Sequence, residues 1–292
     1  MPSQSIPLQE IRTDFNGFAR LTQLAAKTDH CVFQGVKIDM ARTSWLDANM
    51  CAPFGAILYK AARRSNTITL SGMSPGIETI LRKNGFLSNY GREKIPDTHG
   101  TTIEYRRFDP KDDRDFAAYV ASRMVGKGIP TMSPALRKKF LESLFEIFSN
   151  AATHSETKYG IFACGQFFPQ KKRIDFSIAD LGIGIRRKIE IEKGLLLSSE
   201  KAISWAMEGS NTTRSGAIPG GLGLKLLRQF IELNKGCIQI VSDTGYWQLS
   251  KGIVTTNSFP SPFPGTVVNI QIRTDDTQTY ILSSETKHED IF

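Results

Sequence analysis

LESLFEIFSNAATHS, residues 141–155, decides how the second half of this chain is read. Placed at about 100° per residue around a helix axis, Leu141, Leu144, Phe145, Phe148 and Ala152 fall on one side. Glu146, Asn150 and His154 recur every fourth residue on the opposite side, so a carboxylate, an amide and an imidazole point one way over two turns. Ser133-Pro134 supplies the helix start, a capping hydroxyl followed by a proline in the first turn. Taken alone, a polar row of this kind is most often a solvated face, and His154 alone is a helix C-terminal histidine favoured by the dipole.

Two downstream stretches give the row a context. In RIDFSIADLGIGI, Ile174, Phe176 and Ile178 alternate as a strand that runs out at Asp180, Gly182 and Gly184. A carboxylate fixed at a strand end can accept a hydrogen bond from an exocyclic amine, and glycines let the backbone approach a flat ring. A lone DxGxG is as readily a turn. Pro219-Gly220-Gly221-Leu222-Gly223-Leu224 then opens the helix KLLRQFIELNK. Freed backbone N–H groups at a helix start make an anion site. No GxxxxGK[ST] occurs and no GxGxxG follows a strand, which removes the usual support for phosphate-loop and dinucleotide readings.

The order ExxxNAxxH, DxGxGI, GLGL and a strand opening at Gly265-Thr266 resembles the GHKL superfamily, which takes in gyrase, a heat-shock chaperone, histidine kinases and mismatch-repair ATPases; the resemblance covers about residues 130–273. It implies ATP and Mg²⁺ as cofactors. Asn150 would be the Mg²⁺ ligand, Glu146 would orient or deprotonate the attacking water or hydroxyl, and Asp180 would read the adenine. Gly182 and Gly184 would pass beneath the adenine, and Thr266 would support its pocket. The glycine-rich stretch from Gly220 and Gly221 through Leu222, Gly223 and Leu224 would cradle the phosphates. His154 stands where anti-sigma-factor serine kinases, with a similar ExxxNAxxH, also carry a histidine, a catalytic candidate beside Glu146. Residues 186–220 occupy the place of the superfamily's mobile ATP lid, where Thr213 and Arg214 would reach the γ-phosphate. Pro219 replaces the first glycine of the usual GxGLGL, which unsettles the lid hinge.

Working towards the start of the chain, CVFQGVKIDM, ANMCAPFGAILYKAARR, NTITLSG and PGIETILRKNGF read as strand, helix, strand and helix. This order resembles a STAS domain, the module of anti-sigma-factor antagonists. Where those antagonists carry a phosphorylated serine, this chain offers Asp47, Ala48 and Asn49, which argues against serine phosphorylation there. The expected fold class is α/β: a STAS-like unit over 1–108, then a Bergerat-type α/β sandwich over 109–275, a mixed sheet covered on one face by helices, then a polar tail over 276–292.

Composition sets the outer bounds. Hydrophobic residues make up 40% of the 292, enough for two cores, and the four cysteines stand singly without a CxxC spacing, against zinc or redox chemistry. The formal charge of +8 would suit nucleic acid, but the basic residues are dispersed in short groups, so nucleic acid is not the expected partner. No apolar run is long enough to cross a bilayer and no signal peptide is seen, so the cytoplasm is the expected compartment and no membrane the expected context. The function expected is ATP-dependent signalling with a protein partner, with serine/threonine kinase activity of the anti-sigma-factor kind. The alternative is an ATP-gated switch that dimerises or captures a partner without phosphotransfer. A sensor histidine kinase fits less well, because His30, His99, His154 and His288 lie in no two-helix hairpin.

Overall fold

A computed structural model of the chain describes residues 3–124, 126–155, 157–208 and 222–285, leaving out the side chains of His154, Leu222 and Gly223. The chain begins with β1 (Ser3–Pro7), α1 (Phe15–Asp29), β2 (Gly35–Asp39), α2 (Cys51–Ala62), β3 (Thr67–Ser71) and α3 (Pro75–Lys83). The three strands form a parallel sheet in the order β1-β2-β3. Local signals place these helices. Asp14 caps α1 by accepting the Gly17 N–H at 2.8 Å, and Phe18, Leu21, Leu24 and Ala25 give α1 a buried face at three- and four-residue spacing. Ser74 caps α3, with Pro75 in its first turn.

The second sheet contains β4 (Thr102–Phe108), β5 (Ile161–Phe168), β6 (Arg173–Asp180), β7 (Cys237–Ser250) and β8 (Ile253–Arg273). Its order is β4-β5-β6-β8-β7, and every neighbouring pair is antiparallel, so the expected mixed sheet is corrected. β4, read from sequence as part of the first unit, instead pairs with β5, from Thr102 opposite Gln166 to Phe108 opposite Ile161. Helices α4 (Asp113–Arg123), α5 (Pro134–His154), α6 (Gly184–Lys193), α7 (Ser199–Met207) and α8 (Leu222–Asn234) complete the described part. None of the described helices is long and apolar enough to cross a membrane.

Both faces of this sheet are covered, where one was expected. Side chains alternate across a strand, and Ile174, Phe176, Ile178, Ile238, Ile240, Ile270 and Ile272 share one core with Phe116, Phe140, Leu144, Phe148 and Phe230 of α4, α5 and α8. On α5 the fully buried arc runs through Phe140, Leu144, Ile147, Phe148 and Ala151, while Leu141, Phe145 and Ala152 are only partly buried. The helix is thus turned toward Ile147 relative to the face read from sequence. The other side of the sheet, carrying Phe162, Ala179, Val241, Tyr246 and Val267, joins the core of the first unit. Gly55 of α2 faces Tyr105 of β4, and a Cβ there would lie 2.3 Å from the phenol oxygen, so only glycine lets the helix approach this strand.

A row of polar residues lies within this interface. Strand pairing sets Ser177 of β6 opposite Asn269 of β8, and Asn269 opposite Gln239 of β7. Asn49, in the turn before α2, is fully buried and donates from Nδ2 to Ser177 Oγ at 3.1 Å and Asn269 Oδ1 at 3.0 Å. Asn269 Nδ2 donates to Gln239 Oε1 at 2.9 Å, and Gln239 Nε2 returns to the Thr13 carbonyl at 3.1 Å. Buried polar groups are tolerated when each finds a partner. Asp47, 2% exposed, accepts from the Thr13 amide at 2.8 Å and the Trp45 indole at 2.7 Å. Asp47, Ala48 and Asn49, just before α2, are therefore closed off inside the chain.

Candidate functional site

Four segments meet where β6 ends. Asp180, its last residue, is 4% exposed and accepts the Gly182 N–H on Oδ1 at 2.8 Å. Burial pushes the Asp180 carboxyl up to about 7, against the Gly182 amide, the Thr266 amide and the Ser155 hydroxyl, which all favour its charged form. Among the described residues, the groups acting on it are these amides and this hydroxyl, with no cation among them. The site therefore holds an acid poised between its two protonation states near neutrality, the condition under which it can accept or share a proton in a hydrogen bond.

The glycines of the DxGxG turn have reasons internal to the chain. A Cβ on Gly182 would lie 2.0 Å from the Ser155 carbonyl oxygen, which accepts the Ile183 N–H at 2.8 Å. The turn is thus fastened to the C-terminal end of α5, directly beyond the ExxxNAxxH row. Gly184 has a φ of +78°, and the next amide, Ile185 N–H, donates to Ser242 Oγ at 2.9 Å. Ser242 Oγ lies 3.0 Å from the Thr266 hydroxyl, and a Cβ on Gly265 would come within 2.1 Å of the Asp180 carbonyl oxygen. The Gly265-Thr266 segment of β8 therefore packs directly behind Asp180.

Asp180, Gly182, Gly184 and Thr266 are brought together, and Glu146 and Asn150 lie half-buried along α5, Asn150 within two turns of Ser155 and Glu146 one turn further back. His154 is the last residue of α5. Leu222 opens α8, Gly223 follows, and Leu224 packs against the helical core. Thr213, Arg214, Gly220 and Gly221 lie outside the described residues. The segment read as a lid is in part helical: α6 and α7 occupy much of 184–207, and Arg186 Nε pairs with Asp243 Oδ2 at 2.7 Å, with Ser199 Oγ donating to the same oxygen at 3.0 Å.

Sequence reasoning missed Ser155 and Ser242 as parts of this corner. Ser155 adjoins the ExxxNAxxH motif, so motif adjacency was an available signal for it, while Gly265 was read with Thr266 and the structure adds its close approach to the Asp180 carbonyl. Ser242 becomes visible only through the β7–β8 register, which sets it opposite Thr266. Among the described residues, no group of three or more His, Cys, Asp or Glu side chains is placed to hold a metal ion. No family model and no curated protein matches this chain.

Proposed function

We propose that the corner at the end of β6 binds ATP with Mg²⁺ in the manner of the GHKL superfamily, within a Bergerat-type unit, and that the chain is an intracellular signalling protein. The observation that carries this reading is Asp180, a buried carboxylate at a strand end whose partners among the described residues are amide N–H and hydroxyl groups. A buried acceptor backed by Gly265-Thr266 and bordered by a glycine turn has the character needed to recognise an exocyclic amine. The residues fit the nucleotide: Asp180 would hold the base, the Asn150 amide oxygen the metal, and the start of α8 the phosphates. With protein ligands this few, Mg²⁺ would keep waters and phosphate oxygens as its remaining ligands.

Bound Mg-ATP would supply a transferable phosphoryl group and the charge that neutralises its oxygens. Glu146 would orient or take the proton of the attacking hydroxyl or water, and His154 is the second catalytic candidate that the resemblance implies. The kinase form, acting on a serine or threonine of a protein partner, agrees with the STAS-like order of the first unit. The switch form agrees with the interface between that unit and the sheet, since Asn49 and Gln239 connect the first unit to strands that also carry Ser242 and Thr266.

The deciding experiment is calorimetry with Mg-ATP on the wild type, Asp180→Asn and Asn150→Ala, followed by γ-phosphate labelling with candidate partners. Binding lost in Asp180→Asn and metal dependence lost in Asn150→Ala is the expected result. No binding by the folded wild type would remove the reading. Labelled protein would select the kinase, and free phosphate with nucleotide-dependent association would select the switch.

A further inference from the structure

A second cleft lies at the β4 edge of the sheet, where residues 94–101 face β4 and the C-terminal end of α4. It encloses about 500 Å³ and is lined by Lys83, Lys94, Asp97, Glu104, Arg123 and Lys127. β5 separates β4 from β6, so this cleft is distinct from the Asp180 corner.

Four cations meet two carboxylates here, and both carboxylates are already engaged. Asp97 Oδ2 accepts the Thr102 amide at 2.7 Å and the Thr102 hydroxyl at 2.9 Å, while Oδ1 accepts the His99 amide at 3.3 Å. Glu104 is taken by Lys94 on one oxygen at 2.5 Å and by Arg123 on the other at 3.0 Å. Among the described residues, Lys83 and Lys127 have no carboxylate within 4.0 Å, though both feel the charge of Asp97, and four cations against two carboxylates leave an excess of two positive charges on one cavity. Lys127 is only 9% exposed, and its ammonium donates to the Gly100 carbonyl. An ammonium carries three donors, and among the described residues this carbonyl takes one, which leaves donor capacity in a place that costs solvation. Burial and the nearby Arg123 guanidinium hold the Lys127 pKa below its usual value, although Asp97 acts against them.

We propose that this cleft binds a small phosphate-bearing anion, with Lys127 and Lys83 as its principal charge partners. The excess of two positive charges matches a phosphate, which carries about 1.5–2 negative charges near neutrality. The volume lies within the roughly 300–1,000 Å³ of small-molecule sites. The cations converge on one cavity, whereas a nucleic acid would need them spread along a track of phosphates.

The test is calorimetric titration of inorganic phosphate and pyrophosphate into the full chain without Mg²⁺, beside citrate as a carboxylate control. Saturable binding of the phosphates is expected, weakened about ten-fold or more by Lys127→Met and by Lys83→Ala, since a hydrogen bond to a charged group contributes about 1.5–3 kcal/mol. Lys83 is half-exposed at a helix end, so its variant tests the site even if Lys127→Met unfolds. Lys111→Ala, on an exposed loop, and Asn150→Ala, in the nucleotide corner, should bind as the wild type does. No saturable phosphate binding by the wild type, retention by Lys83→Ala, tighter binding of citrate than of either phosphate, or loss in Asn150→Ala would each overturn the proposal.

Discussion

The side-chain amide of Asn49 donates to the side-chain carbonyl of Asn269 at 3.0 Å, joining residues 220 positions apart in the chain. Asn49 is fully buried, as are Asn269 and Ser177, so the bond has no water to replace it. The first unit is thereby registered against the middle of the second sheet by directional bonds as well as by apolar packing.

Asn49→Leu should therefore be destabilising well beyond its change in volume. It would leave Ser177 and Asn269 short of a buried partner, at a cost of about 2–4 kcal/mol. Urea denaturation of the full chain measures this directly. Asn257→Ala, on the exposed part of β8, should change stability by less than about 0.5 kcal/mol. Equal effects from the two would mean that the buried bond does not hold the interface.

Separating the two units should expose their shared core. Phe162, Val241, Tyr246, Phe263 and Val267 of the second sheet are all at most 2% exposed, and they join the core that contains α1 and α2. Residues 101–285 expressed alone should aggregate or bind a hydrophobic dye, since an uncovered apolar sheet face promotes association. Co-expression with residues 1–100 should restore a soluble complex. A soluble, monomeric, dye-negative fragment would show that the face is stable in water.

The sequence made parts of this fold legible where one signal dominated. The Ser133-Pro134 start and the apolar spacing place α5, and the alternation of Ile174, Phe176 and Ile178 places β6. The opposite face of β6 carries Asp175 and Ser177 and looks solvated in sequence, yet both are fully buried under the first unit. Alternation reports which face is more apolar, and tertiary contact decides whether the other face stays wet. The first part of β8, before the strand read from Gly265, was hidden for a related reason. Pro260, Pro262 and Pro264 interrupt its reading as a strand, but its outer part pairs only with β7, leaving the far side free of ladder demands. α1 carried an Asp14 cap and an amphipathic spacing that sequence reading passed over, and α6 and α7 were absorbed into the expected lid.

Substitution of the site glycines should separate packing from backbone freedom. Gly182→Ala would drive a methyl group into the Ser155 carbonyl at 2.0 Å, and Gly265→Ala into the Asp180 carbonyl at 2.1 Å. Neither neighbour is a flexible side-chain end, so each should cost about 2–4 kcal/mol, Gly182→Ala by overpacking alone and Gly265→Ala by overpacking together with its φ of +152°. Gly194→Ala meets nothing within 4 Å and bears only its φ of +66°, at about 1 kcal/mol. Thermal unfolding of the three variants gives the order. A mild Gly182→Ala would mean that the α5 end and the DxGxG turn are not rigidly joined.

Asp180 makes the corner sensitive to pH, with a sign opposite to that of a salt-bridged carboxylate. Its folded pKa of about 7 lies above the ordinary 3.8, so below about pH 4 both states hold the proton and its burial carries no ionic penalty. Between those values the unfolded chain has released the proton while the folded chain retains it, so stability falls as pH rises and levels off above about 7. The loss should be on the order of 4 kcal/mol, about three pKa units at about 1.4 kcal/mol each. Asp175, raised to about 6 by burial despite Arg173 and Gln271, contributes in the same direction, so the contrast with Asp180→Asn is what isolates Asp180. That variant keeps an oxygen for the Gly182 N–H and should lose less stability than the wild type between pH 5 and 8. Nucleotide affinity should run the other way: the ionised carboxylate is the better acceptor, so wild-type binding should strengthen from pH 6 to 8 while Asp180→Asn stays weak and flat. Parallel stability profiles for the two proteins would place the Asp180 proton outside this range and remove the acid from the recognition argument.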